Sequence, residues 1–477
     1  MKVSKYYHLG RKQPTLDFVD VDISTDVKMY IDPKALLSLN NEWGNYCVSQ
    51  VQSFFDTVLN SIKAGDHDRA RSLLNVLREP NETHLGLSVG ESHGTALGDQ
   101  SSRDVWEKIT QSQAVASGLI EDLEDTILLI PGISYDRISD ITTNIIRDAL
   151  ILYTQEVCAF YGIPVESDVN SGPLWDAEDK IWKNEYTSLP LPENKKLLLV
   201  PKAIVRKSMH YDEDEYYRHF ILDFLREKEL ADNSSLIVVL KSGRKRVFKK
   251  DVKLKYGSGK EMMVRYSQKH PEILERYRRF KSTQVSAPLS NQEIVDYKPD
   301  ESPNFLELLQ AVKNVPAGRG NASLYEEEIE KFLTAICYPS LTNPKVQNEI
   351  HQGRKRIDIT YTNSAVDGFF KWLAVNYNAP YMHIECKNYT TDPVNPEIDQ
   401  LSGRFSRERG RCGILVCRSI ENKEIFRQRC KDTANDGRGF IIGLDDSDLE
   451  KMVENVLEEY YMPKYDYLKS VFDALVM

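Results

Sequence analysis

Two neighbouring stretches constrain this chain most: Arg356-Ile-Asp-Ile-Thr-Tyr and, after a loop, Tyr381-Met-His-Ile-Glu-Cys-Lys-Asn. A strand sends alternate side chains to opposite faces. In the second stretch Glu385 and Lys387 therefore share one face, and Met382, Ile384 and Cys386 take the other. Asp358 stands between Ile357 and Ile359, and a carboxylate flanked by residues that seek burial is costly unless something pairs with it. A divalent metal is the natural partner, so two carboxylates and a lysine from adjacent strands are expected to converge on one.

The flanking pattern supplies elements of a mixed α/β unit. Ser323-Leu-Tyr-Glu reads as a capping box opening a helix, with Tyr325, Ile329, Phe332, Leu333 and Ile336 as its core stripe. Glu328 lies at the edge of that stripe, where Glu326, Glu327 and Glu330 compete with it. Residues 345–351 and 355–361 read as a hairpin about Gln352-Gly353-Arg354, whose second strand delivers Asp358. Asn395-Pro396 is a good helix entry, with Ile398, Leu401 and Phe405 on one face and Gln400, Arg404 and Arg407 on another. Gly413-Ile-Leu-Val-Cys is apolar throughout, as in a strand covered on both sides. A helix over 423–433, a strand over 439–443 and a helix over 447–460 follow. His383 shares the face of Glu385 and reads as a packed histidine, with Cys412 and Cys417 as core residues.

An Asp ending one strand, followed by Glu-x-Lys on the next within this order of helices and strands, resembles the PD-(D/E)XK nuclease superfamily, from about Ser323 to Tyr461. Ile357 stands where the superfamily's name has proline. The resemblance implies a restriction-endonuclease-like αβββαβ core with a mixed central sheet. It also implies that Asp358, Glu385 and the Cys386 backbone carbonyl hold Mg²⁺ or Mn²⁺, hard ions that prefer oxygen. Lys387 would then orient or deprotonate the attacking water, Gln400 would position substrate, and Glu328 would add a carboxylate beside the metal. Arg354, Lys355, Arg356, Arg404 and Arg407 are candidates for phosphate contact.

The remainder of the chain carries less chemistry. Residues 1–165 read as a mainly helical region, with helices expected over 46–63, 102–125 and 136–161. Thr15 to Ile23 reads as an alternating strand whose Asp17, Asp20 and Asp22 form a half-exposed acidic face. Residues 166–300 read as mixed α/β, with irregular chain around Trp175 and Trp182, strands over 197–201 and 235–240, and a helix over 213–230. Tyr256-Gly-Ser-Gly-Lys-Glu fails as a phosphate loop, because Leu254 and Glu261 stand where Gly and Ser or Thr are needed. The polar stretch 283–303 and the break at Pro316-Ala-Gly-Arg-Gly-Asn frame a short helix, so 301–322 is taken as a linker before a nuclease-like unit over 323–477.

The net charge of −10 speaks against nucleic acid until its distribution is considered. Residues 241–282 hold 15 Lys and Arg against 4 Asp and Glu, which suits a phosphate backbone, although such a run also serves as a solvated face. Lys245, Arg246, Lys249 and Lys250 are the contacts expected there. No apolar run approaches a membrane span and the start lacks a signal peptide's apolar segment. Seven cysteines without paired spacing suit a reducing compartment, so a cytoplasmic location is expected.

The resulting expectation is a metal-dependent endonuclease on DNA, with RNA left open, of the kind found in bacterial restriction and antiphage defence. Residues 1–300 would serve recognition or assembly. A homo-oligomer and a partner ATPase or other defence-system subunit remain open, and no membrane partner is expected. Two other readings are a non-catalytic nucleic-acid-binding or scaffold protein that keeps the fold, and a repair or junction-resolving nuclease.

Overall fold

The structure, a computed structural model, describes the chain except residues 40, 87–106, 111, 285, 296–302, 351–354 and 460–462. It is mixed α/β, and two large apolar clusters organise it. One draws on buried residues from Val3 to Ile294 together with Tyr338, the other on residues from Leu309 to Leu475.

In the first cluster, β1 (Tyr30–Ile31) pairs antiparallel with β4 (Val205–Arg206). Helix α1 (Glu42–Lys63) starts where the Asn41 side chain accepts from the Gly44 N–H, the usual way to satisfy a free amide at a helix start. Its Val51, Phe54, Phe55 and Val58 recur every three or four residues and are buried. The helix expected over 136–161 is two, Tyr135–Ile145 and α2 (Arg147–Tyr161). Instead of irregular chain, β2 (Glu166–Asp176) and β3 (Ile181–Leu189) make an antiparallel hairpin with Trp175 opposite Trp182. Both rings pack on Phe54, with centroids 5.0 and 5.3 Å away. That tertiary contact overrides a sequence poor in strand signals.

Thr15 to Ile23 forms no strand. Phe18 meets Pro201 in an isolated bridge, and Asp17 and Asp20 are buried. Asp20 accepts from the backbone and hydroxyl of Ser4 at 2.8 and 2.6 Å, and Asp17 accepts from the Tyr153 hydroxyl at 2.8 Å. Alternation signals a wet face only when the polar residues lack internal partners, and here they have them. Leu197–Val200 is buried but unladdered. Of 235–240 only β5 (Val238–Val239) pairs, with β6 (Lys245–Arg246), ahead of helix α3 (Lys249–Tyr256).

The second cluster surrounds a five-stranded sheet of order β11-β10-β9-β8-β7. Its strands are β7 (Leu341–Ile350), β8 (Lys355–Asn363), β9 (Tyr381–Lys387), β10 (Cys412–Cys417) and β11 (Phe440–Leu444). The β7–β8 and β8–β9 pairs are antiparallel, and β9–β10 and β10–β11 are parallel. A helix over Phe305–Asn314, within the stretch read as a linker, sends Leu309 and Val312 into this cluster. Helix α4 (Ala322–Ile336) begins after Asn321 with no side-chain cap, so Ser323 lies inside the first turn instead of capping it. Helix Gly368–Tyr377 separates β8 from β9, α5 (Asn395–Ser402) separates β9 from β10, and helices Lys423–Asn435 and Asp446–Glu458 flank β11. A last helix, Asp466–Val476, was not expected from the sequence; it buries Leu468, Phe472 and Leu475.

Both sheet faces are covered. On the Ile359 face the Tyr361 hydroxyl donates to the Glu330 carbonyl of α4 at 3.0 Å. On the Glu385 face the His383 ring stacks on Phe405, beyond α5, with centroids 6.0 Å apart. The site described next lies at one end of the β8–β9 pair on this second face.

Candidate acidic site at the end of the β8–β9 ladder

The β8–β9 register runs from Thr362 opposite Tyr381 to Ile359 opposite Ile384. One step further it sets Asp358 across from Glu385 on the same face. There the ladder gives way to a side-chain contact: the Cys386 N–H donates to Asp358 Oδ2 at 2.8 Å. The bond fixes the aspartate while leaving its other oxygen free of that contact.

Glu385 is fully buried, at 0% exposure. Its Oε1 receives Lys387 Nζ at 2.8 Å and the Gln400 amide, and Lys387 Nζ also reaches Gln400 Oε1 at 3.4 Å. Gln400 comes from α5, so a third element closes on the strand pair. Glu385 Oε2 is buried and has no hydrogen-bond partner among the described residues. Buried carboxylate oxygens are rarely left this way.

The electrostatics follow from this crowding. Burial pushes the Glu385 carboxyl up, and the neighbouring Asp358 charge adds to the effect against Lys387 and Arg404. Burial likewise raises Asp358, opposed by the Cys386 N–H and the charges of Lys387, Arg356 and Arg404. Burial opposes the charge on Lys387, but Glu385 and then Asp358 outweigh it, so its ammonium is held above the ordinary range. Two carboxyls that burial and mutual repulsion both disfavour as anions are what a cation would relieve.

The donor set fits a hard divalent ion. Asp358 and Glu385 offer carboxylate oxygens, one of them orphaned, and ions such as Mg²⁺ often take one or two carboxylates and keep water in other positions. Among the described residues no group of three or more His, Cys, Asp and Glu side chains is arranged to hold a metal ion. The set is therefore a pair of carboxylates, and not a closed protein cage. The Cys386 thiol is buried and held far above its usual range by burial, so it offers no thiolate ligand.

On α4 the carboxylate that feels the Asp358 charge is Glu326, whereas the expectation fell on Glu328. Glu328 accepts from Lys331 Nζ at 2.8 Å. Glu326, two residues earlier, is raised by burial and then by the Asp358 charge, and its Oε2 accepts from the Gln347 amide at 3.1 Å. On the helical wheel the two glutamates flank the stripe on opposite sides, and hydrophobic pattern alone does not say which side meets the strand ends. Glu330 is buried and ion-paired to Arg11 at 2.6 Å.

Of the basic candidates, Arg356 is exposed and acts electrostatically on both Asp358 and Glu326. Arg404 lowers both acidic partners, and its Nε is buried without a partner among the described residues. Arg407 is exposed, with its carbonyl accepting from Asn378 Nδ2 at 2.9 Å. Arg354 and the side chain of Lys355 lie outside the described residues. His383 Nε2 lies 2.9 Å from the Arg409 carbonyl and its pKa falls to about 4 through burial, so it is a neutral packed ring. Cys412 and Cys417 are core residues.

The second basic group divides. Lys249 is spent on Asp223 at 2.9 Å, and Lys245 contacts the Asn233 amide oxygen at 2.9 Å. Arg246 and Lys250 lie 5.1 and 5.8 Å from the centre of the Phe248 ring. Among the described residues no helix is long and apolar enough to cross a membrane.

Fold and site together define a mixed α/β protein with a buried acidic pair and a lysine at the end of two central strands. Residues 8–212 match the model of a domain of unknown function, DUF8370. No curated protein and no solved structure matches the chain. The matched span stops before both the β5–β6 hairpin and the acidic site.

Proposed function

We propose that this chain is a metal-dependent phosphodiesterase that cuts DNA, with the acidic pair as its reaction centre. The observation that carries the reading is Glu385: a wholly buried carboxylate with one oxygen bound by Lys387 and Gln400 and the other, beside Asp358, without a partner among the described residues. A core glutamate kept only for structure would be expected to have both oxygens satisfied.

Asp358 and Glu385 would hold Mg²⁺ or Mn²⁺, with the Cys386 carbonyl as a further oxygen. A bound ion supplies Lewis acidity toward a phosphoryl oxygen and eases ionisation of water. The protein's own part is positional. The Cys386 N–H keeps Asp358 in one rotamer, and Glu385 keeps Lys387 charged and turned to the same face. Lys387 is then suited to orient the attacking water or to offset charge on the phosphate. Gln400 braces Glu385 and Lys387 together, and Arg356 and Arg404 add positive charge where a polyanion would approach. Restriction or antiphage defence is the cellular setting we propose for such an activity.

The test is single replacement of Asp358, Glu385 or Lys387 by Ala, followed by plasmid cleavage with Mg²⁺. Each variant is expected to lose activity by on the order of a hundredfold or more, as removal of a charge-stabilising group does elsewhere, and EDTA should silence the unaltered chain. Undiminished cleavage by all three variants would reject the proposal.

A further inference from the structure

The basic segment 241–282 does not act as one surface. Much of it is consumed internally: Lys255 pairs with Glu229 at 2.7 Å, Arg278 with Asp125 at 2.6 Å, Lys281 with Glu215 at 2.5 Å and Lys260 with Glu213 at 3.4 Å. Those cations hold the first cluster's helices together. Of the cations left over, which include Lys269, Arg276 and Arg279 further on, five lie close together in the sequence. Lys241, Arg244, Arg246, Lys250 and Lys253 are all exposed, fall within residues 241–253 where Asp251 is the one acid, and have no ion pair among the described residues.

The backbone presents these charges on a two-stranded ribbon. Gly243 donates to the Leu240 carbonyl at 2.8 Å and Leu240 donates to the Arg244 carbonyl at 3.0 Å, closing a short loop in which Gly243 takes φ +78°. Val238 faces Arg246 and Val239 faces Lys245 across the ladder. Val238 and Val239 are 43% and 64% exposed, so the ribbon has little packed against it. Concentrated like charge on a slender exposed element is held at an electrostatic cost that a polyanion relieves, and a ribbon of this width can enter a duplex groove.

The aromatic content narrows the partner further. Single strands are gripped by stacking bases on open aromatic faces. Between 236 and 255 the one aromatic residue is Phe248, half-buried and already covered by Arg246 and Lys250. We propose that the β5–β6 ribbon and the start of α3 form a clamp for the phosphate backbone of a nucleic-acid duplex, a second binding surface apart from the acidic site. The proposal rests on the nuclease reading for the kind of polymer and on the ribbon's own charge for the binding.

Fluorescence-anisotropy titration of the full chain with a labelled DNA or RNA duplex of about 20 base pairs, in EDTA and across about 50 to 200 mM salt, tests it. EDTA removes cleavage from the readout, so an inert reaction centre leaves the binding result intact. Replacing Lys241, Arg244, Arg246 and Lys250 together by Ser should weaken duplex binding about tenfold or more. It should also lower the slope of log affinity against log salt by roughly 3 to 4, at about 0.9 for each phosphate that the variant no longer neutralises. The paired reversals Lys241→Glu and Arg244→Glu, confined to the exposed loop, should weaken binding in the same direction. Unchanged affinity and slope in both variants, or a preference for single strands that both variants abolish, would overturn the clamp.

Discussion

Glu385 and Glu326 show how much depends on single carboxylates. Asp358, Glu385 and Lys387 could be placed on one face from the sequence because strand alternation is a local rule, needing only the residues themselves. The structure brings those three together with Gln400. The sequence pattern pointed to Glu328 on α4, whereas it is Glu326 that feels the Asp358 charge, because which flank of a helix faces the strand ends is set by docking and not by the helix's own pattern. The difference gives a comparison between two residues of identical chemistry. On the proposed nuclease reading, Glu326→Gln should slow DNA cleavage about tenfold, as loss of a charged group that shares the Asp358 environment. Glu328→Gln, which gives up an ion pair with Lys331 at the helix flank, should stay within about twofold, in line with the small worth of such pairs. Initial rates of plasmid cleavage at saturating Mg²⁺ check both.

At the scale of elements, legibility followed burial. Cys412–Cys417 is buried at every position, and its unbroken apolar run said so. The β2–β3 hairpin offered no such signal, since few of its residues are buried and its strands exist because Trp175 and Trp182 dock on Phe54. Thr15 to Ile23 misled in the opposite sense, because its Asp17 and Asp20 are buried on donors elsewhere in the fold, Tyr153 and Ser4. The close fit of β10 against β9 also yields a prediction. A Cβ on Gly413 would lie 2.8 Å from the His383 carbonyl oxygen, and backbone cannot yield as a flexible side chain could. Gly413→Ala should therefore cost about 1 to 3 kcal/mol by overpacking and, by shifting β9, depress cleavage as well. Urea denaturation beside the activity assay reads the two effects.

Across the whole molecule the two clusters meet through polar contacts that no local pattern reveals. Arg11 pairs with Glu330, and Asn291 Nδ2 donates to the Ala335 carbonyl at 2.9 Å. Lys202, 0% exposed, donates to Asn291 Oδ1 at 3.2 Å and lies 4.0 Å from the Tyr338 ring centre. Composition marked 283–303 as a polar connector, yet Leu289, Asn291 and Ile294 are buried; polarity along the chain says nothing about partners as distant in sequence as Asn291 and Ala335 are. Burial lowers the Lys202 pKa from 10.5 to about 7. Between those values the unfolded chain binds the proton that the folded chain gives up, so stability at this site grows as pH rises and is lost as it falls toward 7. Lys202→Met should accordingly gain on the unaltered chain most near neutral pH, with the difference shrinking toward about pH 10, as equilibrium urea denaturation at several pH values would show.

One contact at that seam has a further effect. Strand β7 is the outer strand of the five-stranded sheet, and such a strand offers unpaired amides on which a foreign strand can build. The Asn343 N–H is instead taken by Asp17 Oδ1 at 2.9 Å, from the opposite end of the polypeptide. The bond that joins the amino-terminal half to the half bearing the acidic pair thus also closes a place where one copy of the molecule could be stitched to the next.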